Sequence, residues 1–380
     1  GRVRSKAEVL WQLRLGLGRG HEKVGYFPVG HGLNNVYGRD KVKKAHPDYY
    51  AIWGGERMTE GAGKPCLSAE GLKKDTIKYV RAMFDTYDVP MLQIAPADGY
   101  GYLCQCEKCV GKDTPDRGRN GRLSDYVWGF VNDVAKEVYK THPDRKILCL
   151  AYTTYQQPPT KIEKLSPNVA VMICRWRSNF HDPAQRKKFL KLRKGWMEIL
   201  PSEEFYVWDY YLHCRRNGRW LGIPVYFPHL IDEDLKSLKG VSLGEYVSAR
   251  RNWPDWDIPW HALAANHLNL YVTARLYWDV EQDVDAMLAE YYRKYYGPAA
   301  EEMATFIEYA ENHWMDAANS VDIMDGYGER IEKARKAAGD GIYGERVGMV
   351  VEYMKPLQQR REQLARGRKG VPEVRCYNRS

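Results

Sequence analysis

The sequence predicts an α/β fold. Its main part is a (β/α)8 TIM-barrel-like catalytic domain, incomplete towards its N-terminus, and a helical C-terminal region follows. Three observations carry that prediction. Short apolar runs alternate with longer segments of helical period, the pattern of parallel βαβ units. Polar residues gather at the C-terminal ends of those runs (Asp98, Tyr152, Arg175, Asp209 and Glu245), and barrels build their active sites at that end, from several strands. After residue 257 helical segments follow one another with no strand between them.

The expected strands are 23–30, 89–98, 145–154, 168–176, 204–211 and 240–246. Each is apolar through its middle, as suits a strand covered on both faces. Between them, 69–87 places Leu72, Ile77, Val80 and Phe84 on one side. The stretch 123–140 carries Val127, Val131, Val134 and Val138 behind a capping Ser124, and 184–199 and 229–238 behave similarly. Six runs fall short of eight, so either one or two are missed or the first lies upstream of Gly1. Further helices are expected at 258–277, 281–296, 298–318, 321–338 and 342–366, with Gly297-Pro298 as a break. The expected division is a glycosidase-type domain over 1–279 and a helical region with a basic tail over 280–380.

Composition narrows the function classes. The chain has 380 residues, 44% hydrophobic and 28% charged, which excludes wholesale disorder. No stretch approaches 18 consecutive apolar residues, so no membrane span is expected. The opening "GRVRSK" reads as a mature form or a fragment and does not reveal the compartment. Net charge is +9, but residues 355–380 hold eight Lys/Arg against two acidic residues, leaving the body near neutral. That tail reads as a solvated chain end rather than a nucleic-acid surface. Trp (12) and Tyr (28) far outnumber Phe (8). Rings with a polar handle suit surfaces that are half apolar and half wet, as sugar-binding clefts are.

The candidate catalytic groups are Glu245, Asp98 and Asp209, each a carboxylate closing or lying in an apolar run. Glycoside hydrolysis needs a pair of carboxyl groups, one of them kept protonated by an apolar wall. Glu245, followed by Tyr246 and by Trp253 and Trp256, is the expected acid, and Asp98 or Asp209 the orienting group. His31, Trp53, Tyr152, Arg175, Trp176, Trp208 and Tyr210 are candidate substrate contacts, the rings for stacking and His31 for a hydroxyl. His46, before Pro47, orders a loop. Cys104, Cys106 and Cys109 form C-x-C-x-x-C just after Asp98. They are a structural zinc set if a fourth thiol such as Cys66 joins them, or else a disulfide or a plain loop staple. No cofactor is otherwise expected. No G-x-G-x-x-G, P-loop, H-E-x-x-H or G-x-S-x-G is present, so nucleotide, zincin and serine-hydrolase readings lack support.

The order "HPDYYAIWGGER", "IAPADGYGYLCQCEKC", "LAYTTYQQPP", "YVWDYY", "GEY" and "ARLYWDVEQDVDAMLAEYYRKYYGPAA" resembles glycoside hydrolase family 163, once catalogued as domain of unknown function 4838, over roughly residues 20–310. The resemblance implies a (β/α)8 barrel, often behind a small α/β domain, and endo-β-N-acetylglucosaminidase activity on complex N-glycans. It also implies a bacterial protein that is secreted, periplasmic or on the cell surface, with an oligosaccharide or a glycoprotein glycan as its partner. One departure stands out: no adjacent Asp-Glu pair closes a strand, since Asp232-Glu233 lies in a helix start. The expected function is therefore retaining hydrolysis of an N-acetylhexosamine-containing glycan with acetamido assistance. The alternatives are a uronate-specific glycosidase using Arg175 or Arg177, or a barrel that binds glycan without cutting it.

Overall fold

The structure is a computed structural model describing residues 30–61, 63–211, 215–216, 219–220, 222–248, 252–253, 256–257 and 262–367. Five strands lie side by side in chain order, all parallel: β1 (Met91–Gln93), β2 (Lys146–Ala151), β3 (Val169–Arg175), β4 (Phe205–Tyr210) and β5 (Glu245–Ser248). They form a curled half-barrel sheet with helices. A closed eight-stranded ring is not found among the described residues, and the expected run 23–30 lies outside them except for Gly30. Three two-residue hairpins stand off the sheet, among them Ile52–Trp53 with Glu56–Arg57.

β2 and β3 are apolar almost throughout and are buried on both faces apart from Lys146, as expected of central parallel strands. β4 departs from that expectation. Phe205, Val207 and Asp209 are buried, while Tyr206, Trp208 and Tyr210 are half-buried, so one face of the strand is covered and the other stays open. β5 begins at Glu245, towards the end of the expected run, because Gly240 holds the preceding turn at φ 71°.

Helices α1 (Glu70–Thr86), α2 (Ser124–Tyr139), α3 (Pro183–Ile199) and α4 (Pro228–Leu238) match the four expected segments within a residue. In α1, Leu72, Thr76, Val80 and Phe84 recur every fourth residue and are buried. α3 is capped by Asp182, which accepts from the Ala184 N–H at 2.9 Å, with Pro183 in the first turn. Ser124 does not cap α2. It is the first helical residue, fully buried, and the chain enters through Leu123, whose N–H donates to the Thr154 carbonyl. No α-helix joins β2 to β3; the crossover holds a short 3-10 turn, Thr153–Tyr155.

Beyond the sheet come α5 (Ala262–Trp278), α6 (Val284–Tyr296), α7 (Ala300–His313), α8 (Val321–Ala338) and α9 (Ile342–Ala365). Asp283 and Ser320 cap α6 and α8, and Gly297 ends α6 at φ 54° before Pro298. These helices are tied to the sheet unit. Asn269 of α5 accepts the Phe227 N–H, and Tyr353 of α9 donates to the Ile223 carbonyl at 2.9 Å. Among the described residues no helix is long and apolar enough to cross a membrane.

Candidate functional site

Alternation along the strands sorts the polar residues onto two faces. Arg175 at the end of β3 and Asp209 near the end of β4 are register partners on the helix-covered face, and Glu245 of β5 shares the phase of Asp209. There they meet Arg177 and, from α4, Asp234. Arg175 Nη1 donates to Asp234 Oδ1 at 2.7 Å, and its Nη2 donates to Asp234 Oδ2 and to Glu245 Oε1. Arg177 Nε donates to Asp234 Oδ2 at 2.7 Å, while its Nη2 reaches both oxygens of Glu245 at 2.7 and 2.8 Å. Tyr277 donates to Glu245 Oε2 and Arg177 Nη1 to the Tyr211 hydroxyl. The rings of Phe180 and Phe189 close over the Arg175 guanidinium. All five charged side chains are at most 4% exposed.

This placement corrects three expectations. The side chains of Arg175, Asp209 and Glu245, expected at the substrate, are instead enclosed, none more than 3% exposed. Each is enclosed behind the sheet, with Asp209 Oδ2 and Arg175 Nε the polar side-chain atoms left without a hydrogen bond. Arg177 goes with them, so both arginines named for the uronate-binding alternative are buried. Two guanidiniums face three carboxyl groups, and the imbalance falls on Asp209. Burial pushes its pKa up to about 6 despite the nearby Arg177 and Arg175. Its Oδ1 accepts the Arg177 and Tyr210 N–H groups, whereas Oδ2 has no hydrogen-bond partner. Burial also works against ionisation of Asp234, but the two arginines overcome it and hold that carboxyl low.

The open face carries the other group. Asp98, its side chain 56% exposed, follows β1, with His31 Nε2 3.7 Å from its Oδ1. His31 Nδ1 bonds to the Pro96 carbonyl at 2.5 Å, and burial lowers its pKa, favouring neutral imidazole. The segment before α1 lies flat on β1. Gly32 N–H donates to the Gln93 side chain at 3.1 Å and Leu33 N–H to the Ala95 carbonyl. Tyr152, just after β2, has its hydroxyl pKa raised by burial first and then by the nearby charge of Asp98. Its ring centre is 6.2 Å from that of His31. Thr153, the next residue, sits at φ 44°, an uncommon state for a β-branched residue and one that concentrates at functional sites.

Tyr210 neighbours this group, its hydroxyl pKa raised by burial first and then by Cys174, Tyr152 and Asp98. Trp176 stacks on Tyr210 at 4.8 Å and 26°, and Trp208 packs on Tyr246 at 4.5 Å. The Trp208 indole N–H has no acceptor among the described residues. The structure thus brings together Asp98, His31, Tyr152, Trp176, Trp208 and Tyr210. Trp53 stands on the early hairpin against Tyr102, at a shallow cleft of about 330 Å³ that Asp113 and Arg122 also line. His46 stacks on Tyr49 at 4.6 Å, consistent with a loop-ordering part. The side chains of Trp253 and Trp256 lie outside the described residues.

Beneath the Asp98 loop, the sulfur atoms of Cys66, Cys104, Cys106 and Cys109 all lie within 4.8 Å of one another. Sequence reasoning missed Asp234, although a signal was there. It falls four residues after Leu230, three after Ile231 and four before Leu238, so it sits on the apolar stripe of α4, where a charge must have a buried partner.

The family model described as "Domain of unknown function (DUF4838)" matches residues 3–308. No curated protein matches this chain. Among solved structures, a mutant O-GlcNAc hydrolase from Thermobaculum terrenum is similar at 14% identity and a TM-score of 0.31, over 82% of this chain and 81% of that one.

Proposed function

Because the chain belongs to the family described as domain of unknown function DUF4838, we propose that it is a glycoside hydrolase of N-acetylhexosamine-containing glycans. The specific reading is an endo-β-N-acetylglucosaminidase that retains configuration with help from the substrate's acetamido group. One observation carries it: the exposed carboxylate of Asp98, beside His31 and Tyr152, stands at the C-terminal end of a parallel sheet whose open face is aromatic. A pyranose offers an apolar C–H face and a rim of hydroxyls. Trp176, Tyr210 and Trp208 suit the first, and Asp98, His31 and Tyr152 the second.

Asp98 takes the orienting role. Its carboxylate accepts the acetamido N–H and steers the acetamido oxygen onto the anomeric carbon as the glycosidic C–O bond breaks, the leaving oxygen taking a proton from solvent; it offsets the positive charge on the resulting ring, which water then opens. Neutral His31, anchored through Nδ1, presents Nε2 to the same space. The enclosure of Glu245 favours a second reading, a half-barrel that binds glycan without cutting it.

Incubation with a complex-type N-glycoprotein, followed by mass spectrometry for a glycan ending in one N-acetylglucosamine, tests both. Release by the wild-type chain and its loss by a factor of about 100 or more in Asp98→Asn supports the enzyme, since removing one such stabilising group costs that much. No release, with chitobiose binding retained, supports the second reading. Undiminished release by Asp98→Asn removes Asp98 from the chemistry.

A further inference from the structure

We propose that Cys66, Cys104, Cys106 and Cys109 form a tetrathiolate site for one structural zinc ion, which fastens the loop bearing Asp98 to the segment around Cys66. The argument is geometric and is independent of the glycosidase reading. Zinc–thiolate bonds of about 2.3 Å in a regular tetrahedron set neighbouring sulfurs about 3.8 Å apart. Cys66 Sγ lies 3.8 Å from Cys106 Sγ and 3.6 Å from Cys109 Sγ, and all four sulfurs fall within 4.8 Å of one another. A disulfide would draw two of them to about 2.05 Å and leave the other two outside the pair.

The surroundings fit a metal. Cys66, Cys104 and Cys109 are buried and Cys106 is partly so, which closes the site to solvent as a structural site requires. Donors point at the sulfurs. Ile52 N–H reaches Cys104 Sγ at 3.2 Å, Cys106 N–H reaches the same sulfur at 3.5 Å, and the Tyr126 hydroxyl lies 3.2 Å from Cys109 Sγ. Such outer contacts hold thiolate ligands in place. Tetrahedral sulfur ligation selects zinc over calcium, magnesium or manganese. On binding, each thiol gives up its proton to solvent and a sulfur lone pair forms the bond to zinc, with no change in oxidation state.

The site would act by position. Lys64 Nζ donates to the Asp98 carbonyl, Tyr100 donates to the Pro65 carbonyl at 2.9 Å, and Gln105 N–H donates to the Ile52 carbonyl at 2.9 Å. These bonds stitch the stretches around residues 52, 65 and 98–105, and the metal would cross-link the same stretches covalently.

The test uses the full chain, purified without chelator or metal-affinity resin. Metal content is measured by mass spectrometry and free thiols by alkylation after denaturation. The expected result is one zinc per chain, with all four cysteines alkylated only once a chelator is added. Cys106→Ser, which alters the least buried ligand, is expected to drop zinc to near zero, while Cys149→Ser keeps one. Should Cys106→Ser fail to fold, replacement of zinc by cobalt(II) in the wild-type chain gives an independent readout. A sulfur-to-cobalt charge-transfer band with intense tetrahedral ligand-field bands supports the site, and octahedral cobalt spectra overturn it. Four freely alkylated thiols with no metal, a disulfide within the group, or iron in place of zinc each overturns the proposal.

Discussion

The two faces of strand β4 differ more than any two distant parts of the molecule. On one, Asp209 is fully buried among arginines and carboxylates. On the other, one residue either side, Trp208 and Tyr210 are half-buried with their ring centres 6.0 Å apart. Both faces are rich in groups that chemistry can use. Only one can be reached by a ligand. Position at the C-terminal end of a strand is therefore half of what makes a barrel-type site, and the phase of the side chain is the other half.

The largest effect that would separate the faces is Arg177→Ala. It takes away the ion-pair partner of Asp209 and leaves Glu245 and Asp234 to Arg175 alone, and removing one partner of a buried network costs about 3–5 kcal/mol. Denaturant unfolding would show the midpoint fall accordingly; an unchanged midpoint would mean that the face is not sealed.

Next comes pH. The folded pKa of Asp209 stands near 6 against 3.8 for the ordinary carboxyl, so its contribution to stability is complete below about 3.8 and is lost as pH rises through about 6. A shift of that size corresponds to at most about 3 kcal/mol. Asp209→Asn keeps an oxygen for the two backbone N–H groups that Oδ1 serves, and it removes the titration. Melting curves at pH 5 and pH 8 are expected to show the wild type losing ground at pH 8 relative to the variant; equal losses would place the proton elsewhere.

On the open face effects on folding shrink. Tyr210→Ala breaks the stack with Trp176, worth about 0.5–1.5 kcal/mol beyond burial, and it is expected to weaken glycan binding as measured by calorimetry. The smallest change in stability belongs to Asp98→Asn, within about 0.5 kcal/mol, as for a substitution at an exposed site. Paired with the loss of turnover expected of the same variant, that would mark a residue kept for chemistry and not for folding. A drop as large as that of Arg177→Ala would erase the distinction between the faces.

Much of the architecture is legible in the sequence because it rests on periodicity. The repeat of Leu72, Val80 and Phe84 and the apolar runs of β2 and β3 locate their elements within one to three residues. β5 starts later than expected because "GVSLGE" is apolar enough to pass for a strand, while Gly240 at positive φ makes its beginning a turn. The aromatic group around Asp98 was legible from residue type, and five of its expected contacts converge on it. Arg175, Asp209 and Glu245 were misassigned because a strand-end position does not reveal a side chain's face. In β3 both faces are apolar up to Cys174, so no alternation betrays the direction of Arg175. In β4 the alternation of Phe205, Val207 and Asp209 with Tyr206, Trp208 and Tyr210 does betray it, but aromatic residues read as apolar on both sides.

The segment that brings His31 to Asp98 has no clearance. A methyl group placed on Gly32 would stand 1.9 Å from the Gln93 carbonyl oxygen, inside any tolerable contact and against backbone that cannot step aside. The spacing between the imidazole and the carboxylate is thus gauged by an atom that is not there. Even alanine at position 32 would act as a shim, lifting His31 off the strand edge while every residue named around the carboxylate stayed unchanged.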